Sequence, residues 1–251
     1  MQHDVILCGT PFESAMKAGA LGALDLAPIG ARLGVNGIEY RPAYWRDPAE
    51  EVPAAAVQVD ELGLRRLYAT FAELTADDPD ELLRDIDVAW RLGASLLRVF
   101  PGAGPVDSPA VARVLDHARQ ADVVLALENL VRPPGSTLAE LQAVLDAVDD
   151  PVLGTNVDIG NYVKNGQDPI AAIAALAPRI VYCHFKDVAD GPDGAQVAPP
   201  GEGGLDLDAV LAALAAAGRA VPLGFEYRWD GDPEDAVRVG LDFLRTRGAA
   251  R

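Results

Sequence analysis

Four stretches decide the fold: Val123-Val124-Leu125-Ala126-Leu127-Glu128-Asn129, Thr155-Asn156-Val157-Asp158, Ile180-Val181-Tyr182-Cys183-His184-Phe185-Lys186 and Leu223-Gly224-Phe225-Glu226-Tyr227-Arg228. Each is a short apolar run that ends in a carboxylate or an imidazole. Continuous apolar runs of this length suit parallel strands covered on both faces. From Glu128 to Asp158 and from Asp158 to His184 the intervals are 30 and 26 residues, each near one strand-plus-helix repeat, and His184 to Glu226 is 42.

Working outward, further strands are expected at Val5–Cys8, Gly37–Tyr40, Arg66–Thr70 and Leu96–Phe100, with the four above spanning Val123–Glu128, Val152–Asp158, Ile180–Phe185 and Pro222–Glu226. Helical periodicity separates them at Asp80–Leu92, Ala110–Gln120, Leu138–Val148, Ile170–Leu176, Leu207–Ala217 and Glu234–Arg245, and one helix is expected in each of Phe12–Val35 and Asp47–Leu62. Asp77-Asp78-Pro79, Asp107-Ser108-Pro109, Gln167-Asp168-Pro169 and Asp230-Gly231-Asp232-Pro233 each put a capping side chain before a proline suited to the first helical turn. Gly63, Gly93 and Gly218 mark helix ends.

Eight such units over 251 residues predict an α/β fold, a single (β/α)8 TIM barrel, as one domain over 1–251. A doubly wound sheet would more often open with a glycine-rich phosphate loop, and Cys8-Gly9-Thr10-Pro11 is not one. The Gly/Pro/Asp-rich segment 189–204 is expected to be one long loop over the catalytic face.

Composition narrows the partners. Asp and Glu outnumber Lys and Arg by 38 to 21, a net charge of -17, which repels nucleic acid and anionic lipid. Neither a signal peptide nor an apolar run long enough to span a bilayer is visible, and the two cysteines, Cys8 and Cys183, suit a reducing cytoplasm. The expected partner is a small sugar or polyol, with no nucleic acid and no membrane; a homo-oligomer is left open.

In a barrel the carboxyl ends of the strands build the active site. Neighbouring strands lie about 4.8 Å apart, so Glu128, Asp158, His184 and Glu226 can converge there. Several carboxylates at an apolar mouth repel one another, and a cation resolves that repulsion. Three carboxylates and one imidazole suit a hard divalent ion such as Mn2+, Mg2+ or Co2+. Alternation along the strands puts Lys186 on the face of His184, Arg228 on that of Glu226 and Arg41 on that of Glu39. Arg98 requires a buried acidic partner, Glu39 or Glu128. Tyr40, Tyr44, Trp45, Phe71, Phe100 and Trp229 follow strand ends and are candidate pocket walls.

The segments Gly37-Ile38-Glu39-Tyr40-Arg41, Leu97-Arg98-Val99-Phe100-Pro101-Gly102, Leu127-Glu128-Asn129, Asn156-Val157-Asp158-Ile159-Gly160-Asn161, His184-Phe185-Lys186-Asp187-Val188 and Gly201-Glu202-Gly203-Gly204-Leu205-Asp206, with Glu226-Tyr227, resemble the xylose isomerase-like TIM barrels, and within them the sugar phosphate isomerase/epimerase group. The resemblance implies one divalent metal, commonly Mn2+, on Glu128, Asp158, His184 and Glu226. It implies an isomerase or epimerase of a small sugar, sugar phosphate or related polyol ketone, with Glu128 and Glu226 moving protons through an enediolate. Glu39, Asn161, Lys186 and Arg228 are the expected substrate contacts; ketose 3-epimerases carry a histidine where this chain has Asn161. The alternatives are a lyase of the same fold (an inosose-type dehydratase or a C-glycoside-cleaving enzyme) and a non-catalytic sugar-binding barrel.

Overall fold

The computed structural model describes residues 1–251 except Pro192, Asp193, Arg219 and Asp230. Asp230 of one expected cap signal, and Pro192 and Asp193 of the expected loop, therefore lie outside the described residues. The strands are β1 (Val5–Cys8), β2 (Gly37–Tyr40), β3 (Arg65–Glu73), β4 (Leu96–Phe100), β5 (Val124–Glu128), β6 (Leu153–Asp158), β7 (Ile180–His184), β8 (Asp187–Gly191), β9 (Gly194–Ala198) and β10 (Leu223–Phe225). The helices are α1 (Glu13–Lys17), α2 (Leu26–Leu33), α3 (Pro48–Glu61), α4 (Asp80–Leu92), α5 (Pro109–Gln120), α6 (Leu138–Ala147), α7 (Ile159–Lys164), α8 (Pro169–Leu176), α9 (Leu207–Ala216) and α10 (Pro233–Thr246).

Among the described residues, β1, β10, β7, β6, β5, β4, β3 and β2 close, in that order, into a barrel in which every strand pair given is parallel. The chain is a single (β/α)8 TIM barrel, as the apolar runs imply. All six residues of β6 and all four of β1 are buried, as staves covered on both faces must be. Asp47, Ser108, Asp168 and Asp232 accept from the first-turn amides of α3, α5, α8 and α10, each with proline at the helix start.

The differences from expectation are local. The segment from Phe12 to Val35 forms two helices, α1 and α2. Pro79 lies just outside α4, and Asp78 Oδ1 accepts from Asp80 N at 3.0 Å. The expected loop at 189–204 instead begins with strand: β8 and β9 pair antiparallel as a hairpin projecting from the barrel.

Ile6, Leu67, Leu96, Ala126 and Tyr182 form a separate apolar cluster, one each from β1, β3, β4, β5 and β7. Two residues further along the same face come Cys8, Ala69, Arg98, Glu128 and His184. The polar site is therefore the next layer of the barrel interior, resting on an apolar plug.

Candidate functional site

Strand register brings the expected ligands to one level. Asp158 of β6 pairs with His184 of β7, His184 with Gly224 of β10, and Glu128 of β5 with Asn156 of β6. Glu226 follows Phe225 at the mouth. His184 Nδ1 lies 2.6 Å from Glu128 Oε1, 3.2 Å from Glu226 Oε2 and 3.6 Å from Asp158 Oδ2. One donor atom from each of the four residues falls within 4.8 Å of all the others. Ligands about 2.1 to 2.5 Å from a hard divalent ion stand up to about 4.2 to 5 Å apart, a spacing compatible with this donor set.

The partners of each ligand fix which atom faces the centre. His184 Nε2 lies 3.0 Å from Glu39 Oε2, so with the proton on Nε2 the Nδ1 lone pair is turned inward. Glu39 Oε1 accepts from Arg41 Nε and Nη2 at 3.0 and 2.8 Å, and Arg41 Nη2 also donates to Glu226 Oε1. Glu128 Oε2 is 3.1 Å from Arg98 Nε, a charge contact without an aligned hydrogen bond. Asn156 Nδ2 donates to Glu128 Oε1 at 3.2 Å. Lys186 Nζ donates to Asp158 Oδ2 at 2.7 Å and to Glu226 Oε2 at 2.6 Å.

Asp158 is both a helix cap and a member of the cluster. Its Oδ1 accepts from Asn161 N at 2.9 Å, capping α7, which leaves Oδ2 for the centre. Asn129 clamps the same backbone, donating to Asp158 O at 2.9 Å and accepting from Asp158 N at 2.8 Å. A Cβ at Gly160 would lie 2.8 Å from Lys186 Cδ, so glycine there lets the lysine stem pass beside α7.

Electrostatics bind the cluster into one unit. Burial opposes the charge on His184, but Glu226, Glu128 and Glu39 hold its pKa well above the imidazole range. Burial likewise opposes ionised Glu39, which Arg41 and then His184 keep below the carboxylate range. Glu226 is lowered by His184, Lys186 and Arg41, and Asp158 chiefly by Lys186, again against desolvation. Cys8, Glu39 and His184 form a second grouping of candidate donors. Burial, with Glu39 beside it, pushes the Cys8 thiol up to about 11, and a hard ion prefers the oxygen-rich set to a thiolate.

Of the expected substrate contacts, Glu39 and Lys186 join the cluster. Asn161 turns its amide to Asn129 O at 2.9 Å, bracing the strand end instead of facing the centre. Arg228 does not share the mouth-facing side of Glu226, because β10 ends at Phe225 and the alternation ends with it. Its guanidinium pairs with Glu13 at the rim, 3.1 Å away. Of the candidate pocket aromatics, Tyr40, Tyr44 and Trp45 are buried, while Phe71 and Trp229 are exposed.

A cavity of about 570 Å3 opens beside the cluster, between the end of α7, the β8–β9 hairpin and the segment after β10. Asp187 ties its wall together: Oδ1 accepts from Leu205 N at 3.0 Å and Oδ2 from Gly201 N at 3.1 Å. Sequence reading missed Lys164 on this cavity. The available signal was scarcity, since the chain has only three lysines, Lys17, Lys164 and Lys186.

The xylose isomerase-like TIM barrel profile matches residues 29–247. The 3-oxo-isoapionate decarboxylase of Pectobacterium atrosepticum is 28% identical over 189 residues, covering 67% of this chain and 68% of that one. The D-allulose 3-epimerase of Methylomonas sp. in complex with D-allulose superposes with a TM-score of 0.76 at 20% identity, covering 98% of this chain and 97% of that one. The IolI protein with a bound zinc atom gives a TM-score of 0.77 at 18% identity, with 97% of each chain covered. Among the described residues, no helix is long and apolar enough to cross a membrane.

Proposed function

The chain belongs to the xylose isomerase-like TIM barrel family, and from that premise we propose that it is a divalent-metal-dependent isomerase or epimerase of a small polyhydroxylated ketone. One relationship carries the proposal. Glu128 and Glu226 each turn one oxygen toward His184 Nδ1, and an arginine holds the other: Arg98 on Glu128 Oε2, Arg41 on Glu226 Oε1. Each glutamate thus has one oxygen for an ion and a second, oriented one for proton transfer.

Glu128, Asp158, His184 and Glu226 would hold the ion, which when bound supplies carbonyl polarisation and stabilises negative charge. Mn2+ is the proposed ion, with Mg2+ or Co2+ able to take the same oxygen-rich set. Glu128 and Glu226 rise from strands three steps apart around the barrel, so they approach a substrate from different sides. One removes the proton beside the carbonyl; the other returns one to the opposite face, giving an epimer, or to the neighbouring carbon, giving an isomer. Four carboxylates here, Glu39, Glu128, Asp158 and Glu226, face three permanent cations, Arg41, Arg98 and Lys186. A divalent ion beside neutral His184 would leave one positive charge in excess, which favours the anion left by proton removal.

We further propose that residues 1–251 act as one domain. The unpaired thiols of Cys8 and Cys183 suit work in a reducing cytoplasm.

A lyase reading is favoured by the decarboxylase relative. Loss of carbon dioxide from a 3-oxo acid leaves a carbanion beside a carbonyl, the same charge that the cations here would stabilise.

The test is solvent exchange in deuterium oxide with a panel of ketoses and inososes, D-allulose first, on the Mn2+-loaded protein. Exchange beside the carbonyl is expected, with loss in Glu128→Gln, in Glu226→Gln and on chelation. More than about a tenth of the turnover surviving in both variants would sink the proton-transfer roles. Exchange with metal verified absent would sink the metal requirement, and water loss from an inosose, or carbon dioxide release from a 3-oxo sugar acid added to the panel, would select the lyase.

A further inference from the structure

We propose that the cavity beside the carboxylate cluster is a subsite for an anionic end group of the substrate, a carboxylate or a phosphate, held by Lys164 and Arg228. The proposal rests on the metal-centre reading for where the reacting carbons lie, and it names the class of compound that reading leaves open.

Both cations are tied covalently to members of the cluster. Lys164 closes α7, whose first turn Asp158 caps, and Arg228 follows Glu226 by two residues. Both line the cavity, along with Gln196, Glu202 and Trp229. The cavity communicates electrostatically with the cluster, since Lys164 feels Lys186, Asp158, Glu226 and Arg228. At about 570 Å3 it falls within the range of small-molecule sites.

The two cations are not used up in holding the fold. Among the described residues Lys164 has no ion pair; its side chain is exposed, and desolvation, then Lys186, push its pKa down. A cation crowded by a second cation gains when an anion arrives. Arg228 meets Glu13 through Nε and Nη2 and keeps further donors free, its side chain being 75% exposed. Among the described residues Glu202 is the single carboxylate in the lining, against two cations.

The background sharpens the contrast. In a chain of net charge -17, Lys164 and Arg228 stand together on this lining. A neutral sugar would give them nothing to pair with. A charged end group would form charge-assisted hydrogen bonds, worth roughly twice those of a neutral hydroxyl. It would also anchor one end of the substrate while the ketone end lies at the metal centre.

Calorimetry on the full, Mn2+-loaded chain at low ionic strength tests this with two matched pairs. L-Sorbose and 5-keto-D-gluconate differ by a carboxylate in place of a hydroxymethyl group, and D-ribulose and D-ribulose 5-phosphate by the phosphate. At least one anionic probe is expected to bind about tenfold more tightly than its neutral partner. The pair that shows the preference identifies carboxylate or phosphate as the end group. Lys164→Gln and Arg228→Gln should each reduce the preference to about twofold or less, and Lys164→Arg should retain it. Equal affinities within both pairs, no binding by either anionic probe at millimolar concentration, or a preference untouched by the Gln variants would each overturn the subsite. Solvent exchange on the same samples keeps the two claims apart: anion preference without exchange removes the proposed reaction and leaves the subsite, and exchange without preference does the reverse.

Discussion

Lys186 Nζ stands 2.7 Å from Asp158 Oδ2, an oxygen that also faces His184 Nδ1 at 3.6 Å. It touches Glu226 Oε2 as well, so the ammonium rests on two of the oxygens that a divalent ion would take. Lysine and metal are alternative answers to the same repulsion between buried carboxylates.

Lys186→Met therefore lowers stability in the absence of metal and enlarges the stabilisation that metal brings. Stripped of metal, the variant is expected to lose about 3–5 kcal/mol of stability, the cost of leaving buried carboxylates without their cation. Mn2+ should restore more stability to it than to the unaltered protein, because the ion meets no competing ammonium. Thermal unfolding with and without Mn2+ reads both effects; an equal metal-induced shift in the two proteins would refute the competition.

Glu39 touches Arg41 and His184 but stands one layer outside the four proposed ligands. It holds the imidazole with Nδ1 inward, and losing such a partner commonly weakens metal binding by about 10–100-fold. Glu39→Gln is expected to show that loss in a Mn2+ titration while keeping the barrel's circular dichroism. An unchanged metal affinity would contradict the orienting role.

His3 provides a pH test away from the site. It is buried and its Nδ1 lies 2.7 Å from Val221 O; burial lowers its pKa from the usual 6.5. With the folded pKa below the unfolded one, its stabilising contribution is present above about pH 6.5 and lost as pH falls through the folded value. His184, whose folded pKa is raised, contributes the opposite slope, so the quantity to follow is the difference between the unaltered chain and His3→Gln. That difference should shrink on acidification from pH 7.5 to pH 5.5, read by urea unfolding of metal-stripped protein. A difference independent of pH would show that His3 does not titrate on unfolding.

Much of the barrel is legible in the chain because its parallel staves are covered on both faces and read as apolar runs. Asp168-Pro169 and Ser108-Pro109 mark helix starts because capping is a local, covalently spaced event. The β8–β9 hairpin was not legible. Asp187–Gly191 and Gly194–Ala198 are short and rich in Ala, Gly and polar residues, with little intrinsic strand preference. Their pairing is supported from outside, by Asp187 gripping the amides of Gly201 and Leu205. Along α4 the bulky Trp90 is 62% exposed while Asp85 is buried against Thr70, an assignment that residue type alone would reverse.

Linear order was enough to collect Glu128, Asp158, His184 and Glu226 as one set, because strand ends repeat at nearly constant spacing and a closed barrel carries them to one rim. Which oxygen of each carboxylate faces inward was beyond it. That depends on Arg41, Arg98, Glu39 and Lys186 reaching across strands distant in sequence. The same limit explains Arg228 and Asn161. Alternation places a side chain only while the strand continues, and past the last stave or at a helix cap the neighbours that close in through space choose its direction.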